Sequence, residues 1–321
     1  MPESKSPRFI QTWLADADAE RAAARAALST TPASVAPKFF YDRLGSHLFE
    51  AITELPEYYP TRTEAAIFAR HGADMARAIG AGMALIDLGA GNCAKAARLF
   101  PLLEPSRYVA VDISVEFLRD ALRDLQRDHP QVRIAGLGQD FSTKLDIPAD
   151  VVGDDRPVFF YPGSSIGNFT PDEALEFLRR VRERASGGGL LIGVDLVKPR
   201  AILEAAYDDA LGVTAAFNRN ALVHLNRLIG SDFVPRQWRH VAFFDDAKSR
   251  IEMHLEARAA IEVSWPGGAR RFAAGERIHT ENSCKYAAAP FADLLVRAGF
   301  DAPRHWTDPA GWFAVFWASA R

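Results

Sequence analysis

The chain has 321 residues, of which 48% are hydrophobic, so it can fill the core of one large domain or of two ordinary ones. Its 38 basic and 41 acidic residues give a formal net charge of −3, which offers no positive excess for a phosphate backbone or an anionic membrane. Nucleic acid and membrane are therefore not expected as partners.

The N-terminal segment mixes charged and apolar residues and contains no apolar stretch typical of a leader or a membrane span. We therefore expect a cytoplasmic protein, acting as a monomer. Cys93 and Cys284 lie far apart and predict two free thiols in a reducing compartment. The eight histidines occur singly, with no HxxxH or HExxH spacing, so no metal site is predicted.

Between residues 84 and 197 one pattern recurs: an apolar run, a turn of small or polar residues, and an amphipathic stretch. The runs are ALIDLG (84–89), YVAVDI (108–113), VRIAGLG (132–138), VFFYPG (158–163) and GLLIGVDLV (189–197). Strands that alternate with helices predict an α/β fold with a parallel, doubly wound sheet. One helix start is well marked, because Thr170, Pro171 and Glu173 fit an N-cap, a first helical position and a capping box.

After residue 198 the pattern changes to helical sequence and then to alternating segments that predict antiparallel strands. The chain closes with a helix and a hairpin. We expect a Rossmann-like core from residues 66–197 and 286–321. A second, substrate-recognition domain would combine an N-terminal cap, 1–65, with an insertion, 198–285.

The glycine turn after the first apolar run predicts a nucleoside site. Gly89 and Gly91 let the backbone approach a ligand, although many strand-to-helix turns contain such glycines for geometry alone. Asp112 ends the next strand, 21 residues after Gly91, where Rossmann-type folds bind ribose hydroxyls. The loop is GAGN rather than GxGxxG, which disfavours a pyrophosphate and hence an NAD oxidoreductase. Asp140 and Phe141 could contact an adenine.

This strand order resembles class I methyltransferases, which implies a seven-stranded, mostly parallel sheet and S-adenosylmethionine as cofactor. From about residue 38 onward the chain also resembles the histidine-specific Nα-methyltransferases that make hercynine for ergothioneine biosynthesis. The segments that carry the resemblance, in order, are YDRLGSHLFEAITELPEYYPTRTEAAIF, FFYPGSSIGNFTP, GVDLVK, AAYDDALGVTAAFNRNALVHLNR, RIEMHLEARA, FAAGERIHTENSCKY and HWTDPAGWFAVF.

The resemblance implies a role for each matching residue. Cofactor contacts would come from Gly89, Gly91, Lys95, Asp112, Asp140, Phe141 and Gly163. Tyr58 would contact the substrate, and Asn168 and Tyr207 would hold the histidine carboxylate. Glu281 and Ser283 would bind the imidazole, and Thr214 and Met253 would shape the pocket around it. Tyr41 would lie near the reacting amino group and act in catalysis. Asn282 and Tyr286 depart from the family pattern, in which an apolar residue and Phe are expected.

Two alternatives remain at this point. The first is an Nα-methyltransferase for another amino acid, such as tryptophan or a histidine conjugate, although Glu281 with Ser283 favours a free imidazole. The second is a non-catalytic sensor of the nucleoside cofactor. A second polar group of residues, with Tyr207, Thr214 and the TENS segment, argues against a sensor because cofactor sensing does not need it.

Overall fold

A computed structural model describes residues 6–11 and 17–321 of the chain. Its strands are β1 (Arg8–Gln11), β2 (Ala33–Ser34), β3 (Ala84–Leu88), β4 (Arg107–Asp112), β5 (Arg133–Gly138), β6 (Pro157–Tyr161), β7 (Gly189–Asp195), β8 (Trp238–Asp245), β9 (Arg250–Ala257), β10 (Ile261–Trp265), β11 (Gly268–Phe272), β12 (Arg277–Cys284), β13 (Arg304–Thr307) and β14 (Phe313–Ser319). The α-helices are α1 (Ala17–Ser29), α2 (Arg43–Thr53), α3 (Tyr59–Ile79), α4 (Ala94–Ala97), α5 (Phe100–Leu103), α6 (Val115–Asp128), α7 (Ala149–Val152), α8 (Pro171–Arg184), α9 (Arg200–Ala205), α10 (Val213–Ile229) and α11 (Ala288–Arg297). Short 3-10 helices cover Pro37–Phe40, Ser165–Asn168 and Pro235–Gln237.

The described chain forms two compact units. The first unit contains β1, Pro60–Val197 and Lys285–Arg321, and the second contains Lys198–Cys284 and the described residues from 17 to Tyr59. The sequence analysis placed 1–65 with the insertion, whereas β1 and residues 60–65 lie in the first unit, because β1 pairs with β5 and α3 continues through this stretch. Among the described helices, none has the length and apolar character needed to cross a membrane.

The first unit contains an eight-stranded sheet in the order β1-β5-β4-β3-β6-β7-β14-β13. Its strands run parallel except at the end, where β14 is antiparallel to β7 and β13. The α/β, Rossmann-like prediction and the closing helix and hairpin are confirmed. The sheet has eight strands rather than seven because β1 adds an edge strand. The strand order reverses between β3 and β6, and ligands bind at such switch points in open α/β sheets.

Continuous apolar strands explain why this sheet is buried on both faces. Every residue of β3 is buried, as expected for a parallel strand covered on both sides. Successive residues point to opposite faces, so Ile86 and Leu85 join different apolar clusters. The predicted capping box is present at the start of α8, where Thr170 and Glu173 hydrogen-bond reciprocally. Local sequence therefore determines both the strands and this helix start.

The second unit is built on a four-stranded sheet in the order β2-β12-β9-β8. Pairs β12–β9 and β9–β8 are antiparallel, which confirms the strand type predicted for the insertion. Asp42 is the N-cap of helix α2, and its carboxylate accepts from Gly45 N at 2.8 Å and from the Asn220 amide of α10 at 2.7 Å. One N-cap side chain thus joins two helices of this unit.

Acid is expected to destabilise the second unit through His254 on β9. Burial lowers the pKa of His254 to about 4, although its Nε2 lies 3.0 Å from Glu252 Oε2. In the unfolded chain the histidine becomes protonated near pH 6.5, whereas in the folded chain it stays neutral until about pH 4. Between these two pH values the unfolded chain therefore binds more protons than the folded chain. As the pH is lowered through this range, the free energy of unfolding falls by up to about 1.4 kcal/mol per pH unit. Urea titrations at pH 6.5 and pH 5.5 measure this fall. In His254→Gln the fall should shrink by about 1 kcal/mol, and an equal fall in both proteins would contradict the prediction.

Candidate active site

The glycine turn follows β3 at the carboxyl edge of the first unit's sheet. Gly89 and Gly91 have φ values of 73° and 53°, in the left-handed region that favours glycine. A Cβ at Gly89 would lie 3.7 Å from Cζ of Phe141, whereas a Cβ at Gly91 would have no atom within 4 Å. The turn therefore leaves open space beside its backbone, and the Phe141 ring lies next to it.

Asp112 holds the same turn from the end of β4. Its carboxylate accepts from Gly91 N at 2.9 Å and from Ser114 N at 2.8 Å. Burial raises the pKa of Asp112, and these backbone hydrogen bonds oppose that rise by favouring the charged form. Because the residue is half-buried, its oxygens retain accepting capacity at the sheet edge. The structure thus brings together the predicted ribose acid and the glycine turn.

Asp140 and Phe141 follow β5, the strand next to β4. Asp140 is buried and accepts from Ser142 N at 3.1 Å. The ring of Phe141 packs edge-on against Tyr161, at the end of β6, with centroids 5.8 Å apart. The ends of the neighbouring strands β4 and β5 therefore supply two carboxylates and an aromatic ring, the groups that an adenosine needs for its ribose, amino group and base.

Lys95 and Gly163 meet at a carboxylate that the sequence analysis missed. Glu64 of α3 is 1% exposed, accepts from Lys95 Nζ at 2.8 Å through Oε2 and accepts from Gly163 N at 2.8 Å through Oε1. A signal was present, because Glu64 occupies the same helical stripe as the buried Ile67 and Phe68. A charge on the apolar stripe of a helix indicates a buried partner.

A second carboxyl missed from sequence is Asp87, within β3. It is 1% exposed, and the Tyr108 hydroxyl donates to its Oδ2 at 2.7 Å. Burial, aided by the nearby Asp112 carboxylate and opposed by the Tyr108 hydrogen bond, raises the pKa of Asp87 to about 7. Its Oδ1 has no hydrogen-bond partner among the described residues. An unsatisfied buried oxygen two residues before the glycine turn fits a polar ligand at this edge.

Asn168 ends the 3-10 helix Ser165–Asn168, also in the first unit. The preceding turn is constrained, since Ser164 has φ 59° and its Oγ accepts from Asp195 N at 2.9 Å. A non-glycine residue in the left-handed region persists only where neighbouring contacts hold it, and such residues cluster at functional sites. The backbone that carries Asn168 is therefore fixed by the fold.

In the second unit, β12 carries the residues predicted to bind the imidazole. Glu281 lies opposite Met253 of β9 in register, and both are buried. Ser283 shares their face, and its Oγ lies 2.7 Å from the Tyr207 hydroxyl. The sequence analysis assigned Tyr207 and Ser283 to opposite ends of histidine, whereas the structure joins them by a direct hydrogen bond.

A β-bulge precedes Glu281. His279 pairs with His254 and Glu281 pairs with Met253, so Thr280 is the extra residue, and its hydroxyl donates to the Met253 carbonyl at 3.0 Å. The departure at Asn282 is explained by this geometry. Asn282 lies on the face of β12 opposite to Glu281, where its Oδ1 is 2.9 Å from His279 Nε2. The departure at Asn282 therefore leaves unchanged the face that carries Glu281 and Ser283.

Four aromatic rings of the second unit form a chain of edge-on contacts. Tyr41 packs on Phe49 with centroids 5.8 Å apart, Phe49 on Tyr58 at 6.1 Å, and Tyr58 on Tyr207 at 6.4 Å. The structure therefore groups the three tyrosines singled out in the sequence. Aromatic faces attract cations, which suits a site where an amine gains positive charge.

Buried polar residues that the sequence analysis missed hold Tyr207 and Thr214. His240 Nε2 lies 2.8 Å from the Tyr207 carbonyl, and Asn218 lies 2.8 Å from the other ring nitrogen. Burial lowers the pKa of His240, which favours the neutral ring. The Asp209 carboxylate accepts from Thr214 N at 2.7 Å at the start of α10. The contact from His240, 33 residues away from Tyr207, leaves no local sequence signal, whereas Asp209 lies only five residues before Thr214.

The chain resembles known proteins over most of its length. Residues 20–320 match the family described as histidine-specific methyltransferase, SAM-dependent. The chain belongs to this family. It is 41% identical to histidine N-alpha-methyltransferase of Mycolicibacterium smegmatis, over 93% of this chain and 94% of that protein. It is 40% identical to the Mycobacterium tuberculosis enzyme of the same name, over 90% of this chain and 91% of that protein. It is 30% identical to ergothioneine biosynthesis protein 1 of Neurospora crassa, over 86% of this chain and 32% of that protein.

Membership in this methyltransferase family confirms the resemblance inferred from sequence and the S-adenosylmethionine cofactor. The first unit offers a fitting set of groups: an open glycine turn, a half-buried acid, an aromatic ring and a lysine. The individual residue roles stay predictions.

Proposed function

We infer that this chain transfers methyl groups from S-adenosylmethionine to the α-nitrogen of L-histidine. The observation that carries the inference is the family match over residues 20–320, which includes the whole insertion with Glu281 and Ser283. We further propose three transfers, giving hercynine, the trimethylated product of ergothioneine biosynthesis.

In the first unit we propose that Asp112 binds the ribose hydroxyls, that Asp140 and Phe141 contact the adenine, and that Lys95 binds the carboxylate of the cofactor. When bound, the cofactor supplies a methyl group already activated on a sulfonium. The protein then needs no metal-bound or covalent intermediate for this chemistry. Its task is to hold the amine in line and to exclude water.

In the second unit we propose that Glu281 and Ser283 bind the imidazole. A buried carboxylate loses hydration, so it favours a ligand that returns a hydrogen bond and disfavours one that cannot. Met253, opposite Glu281, would limit the space beside the ring. This arrangement supports free histidine over an apolar aromatic amino acid.

The amino group must lose a proton before it attacks and becomes a cation again after each transfer. We propose that Tyr41, backed by Phe49, stabilises this positive charge with its ring face and hydroxyl. A neutral hydroxyl can lie beside a methylated ammonium, and burying it does not carry the desolvation cost of burying a carboxylate. Asn168 and Tyr207 keep their proposed role at the α-carboxylate.

To test this, the purified protein is incubated with labelled S-adenosylmethionine and with each of the twenty amino acids in a separate reaction. Label should transfer to histidine, and mass spectrometry of the product should show up to three added methyl groups, all on the α-nitrogen. Transfer to tryptophan in preference to histidine would contradict the proposal. Tight cofactor binding without transfer to any amino acid would favour the sensor alternative.

Tyr207→Phe is expected to weaken histidine binding about tenfold, the effect of losing one hydrogen bond of about 1.5 kcal/mol. Because its hydroxyl also contacts Ser283 Oγ, the losses in Tyr207→Phe and Ser283→Ala should not add in the double variant. Calorimetry of histidine with all three variants measures this coupling. Cofactor affinity serves as the internal control and should stay within about twofold of the parent. Additive losses would show that the two hydroxyls act separately.

A further inference from the structure

Glu64 forms a buried junction that no role assigned so far explains. Its side chain lies within the first unit at 1% exposure, and each oxygen has its own partner. Oε2 accepts from Lys95 Nζ at 2.8 Å, and Oε1 accepts from the backbone N–H of Gly163 at 2.8 Å. Lys95 lies in α4 after the glycine turn, and Gly163 follows β6. One carboxylate of α3 thus joins helix α4 and the turn after β6 at the same sheet edge.

The surrounding residues leave space for this junction. A Cβ at Gly193 of β7 would lie 2.0 Å from Glu64 Oε1, so any other residue there would displace the carboxylate. A Cβ at Gly163 would lie 2.9 Å from Lys95 Nζ, and Gly163 has φ 73°. Two glycines therefore accommodate a charged pair, where an ordinary core would place apolar side chains.

The charges of the pair are unequally buried. The Lys95 side chain is 34% exposed while that of Glu64 is 1% exposed, so the lysine is partly open to solvent and the carboxylate is enclosed. A buried carboxylate is retained only with good partners, and removal of one partner leaves the other poorly compensated. This geometry fixes the direction of Lys95 from the inside while its side chain stays partly open to solvent.

We propose that Glu64 is a positioning residue for cofactor binding. It holds the Lys95 ammonium, and through Gly163 N the turn after β6, in the arrangement that receives the carboxylate of S-adenosylmethionine, the one anionic group of that molecule. This inference rests on the proposed role of Lys95. It predicts that Glu64 strengthens binding, whereas a carboxylate that merely competed for Lys95 would weaken it.

The test measures the affinity of S-adenosylhomocysteine by calorimetry for the parent, Glu64→Gln, Lys95→Met and the double variant. Gln keeps an acceptor for Gly163 N and removes the charge, so Glu64→Gln should bind about tenfold more weakly. Lys95→Met should lose at least as much. The double variant should bind within about twofold of Lys95→Met, because Glu64 acts through the lysine.

Two further variants control for folding. Asp74→Asn changes an exposed carboxylate on the same helix, paired with Arg77, and should leave affinity unchanged. Glu64→Asp keeps the charge but shortens the side chain, so it should restore part of the affinity that Glu64→Gln loses. Thermal unfolding of each variant confirms the folded state, and Glu64→Asp carries the test if Glu64→Gln does not fold.

The outcomes separate this inference from the function proposed above. Glu64→Gln binding as tightly as the parent, or more tightly, overturns the positioning role, as does a fully additive double variant. Parental affinity in Lys95→Met overturns the assignment of Lys95 and this inference with it. Weak binding in Lys95→Met with unchanged binding in Glu64→Gln overturns the role of Glu64 alone.

Discussion

Glu281→Ala is expected to lower kcat/KM for histidine by about a hundredfold, the loss of a hydrogen bond to a charged group. Tryptophan turnover should hold or rise, because the variant removes a buried carboxylate that the indole satisfies only imperfectly and enlarges the space beside Met253. A site built on such a hydrogen bond can reject an analogue by roughly 10⁴-fold. The ratio of kcat/KM for histidine to that for tryptophan should therefore fall by about a hundredfold or more.

Asn282→Ala is the matched control for this experiment. Asn282 is the next residue of β12, and its side chain contacts His279 on the opposite face. Its kcat/KM for histidine should stay within about threefold of the parent. If the ratio of kcat/KM for histidine to that for tryptophan is unchanged in Glu281→Ala, the assignment of Glu281 and the choice of free histidine as substrate are wrong.

Asp112→Ala is expected to weaken S-adenosylhomocysteine binding by about 10- to 100-fold. The variant loses an acceptor for ribose hydroxyls, and it also loses the hydrogen bonds that fix Gly91 N and Ser114 N. Calorimetry measures the affinity, and histidine transfer need not be followed. Asp120→Asn, an exposed aspartate on α6 paired with Arg123, should bind as the parent does. Equal affinity in Asp112→Ala and the parent would remove Asp112 from the cofactor site.

The elements predicted best are those coded by local sequence. Continuous apolar runs gave the five central strands, and Thr170 with Glu173 marked a helix start that the structure reproduces. The residues around the glycine turn, β4 and β5 could be placed at one edge because carboxyl ends of parallel strands meet there. Resemblance to a family added the substrate residues, which periodicity alone could not assign.

The features missed depend on contacts between distant residues. β1 is a four-residue edge strand, too short for an alternating pattern to be recognised. The position of Glu64 on the apolar stripe of α3 indicates a buried partner, but the sequence does not identify its partners, which lie 31 and 99 residues away. Alternation along β12 would place His279 and Glu281 on one face, whereas the bulge at Thr280 separates them. A bulge arises from pairing with another strand, so the sequence of one strand does not reveal it.

The bulge also determines how this strand tolerates changes in chain length. His279 and Glu281 already pair with consecutive residues of β9, so loss of Thr280 would leave every later residue of β12 opposite its present partner. Loss of Asn282 would instead move Ser283 to the opposite face, because a shift of one residue exchanges the two sides of a strand. A deletion of Thr280 would therefore keep Glu281 and Ser283 on a shared face of β12. A deletion of Asn282 would place them on opposite faces.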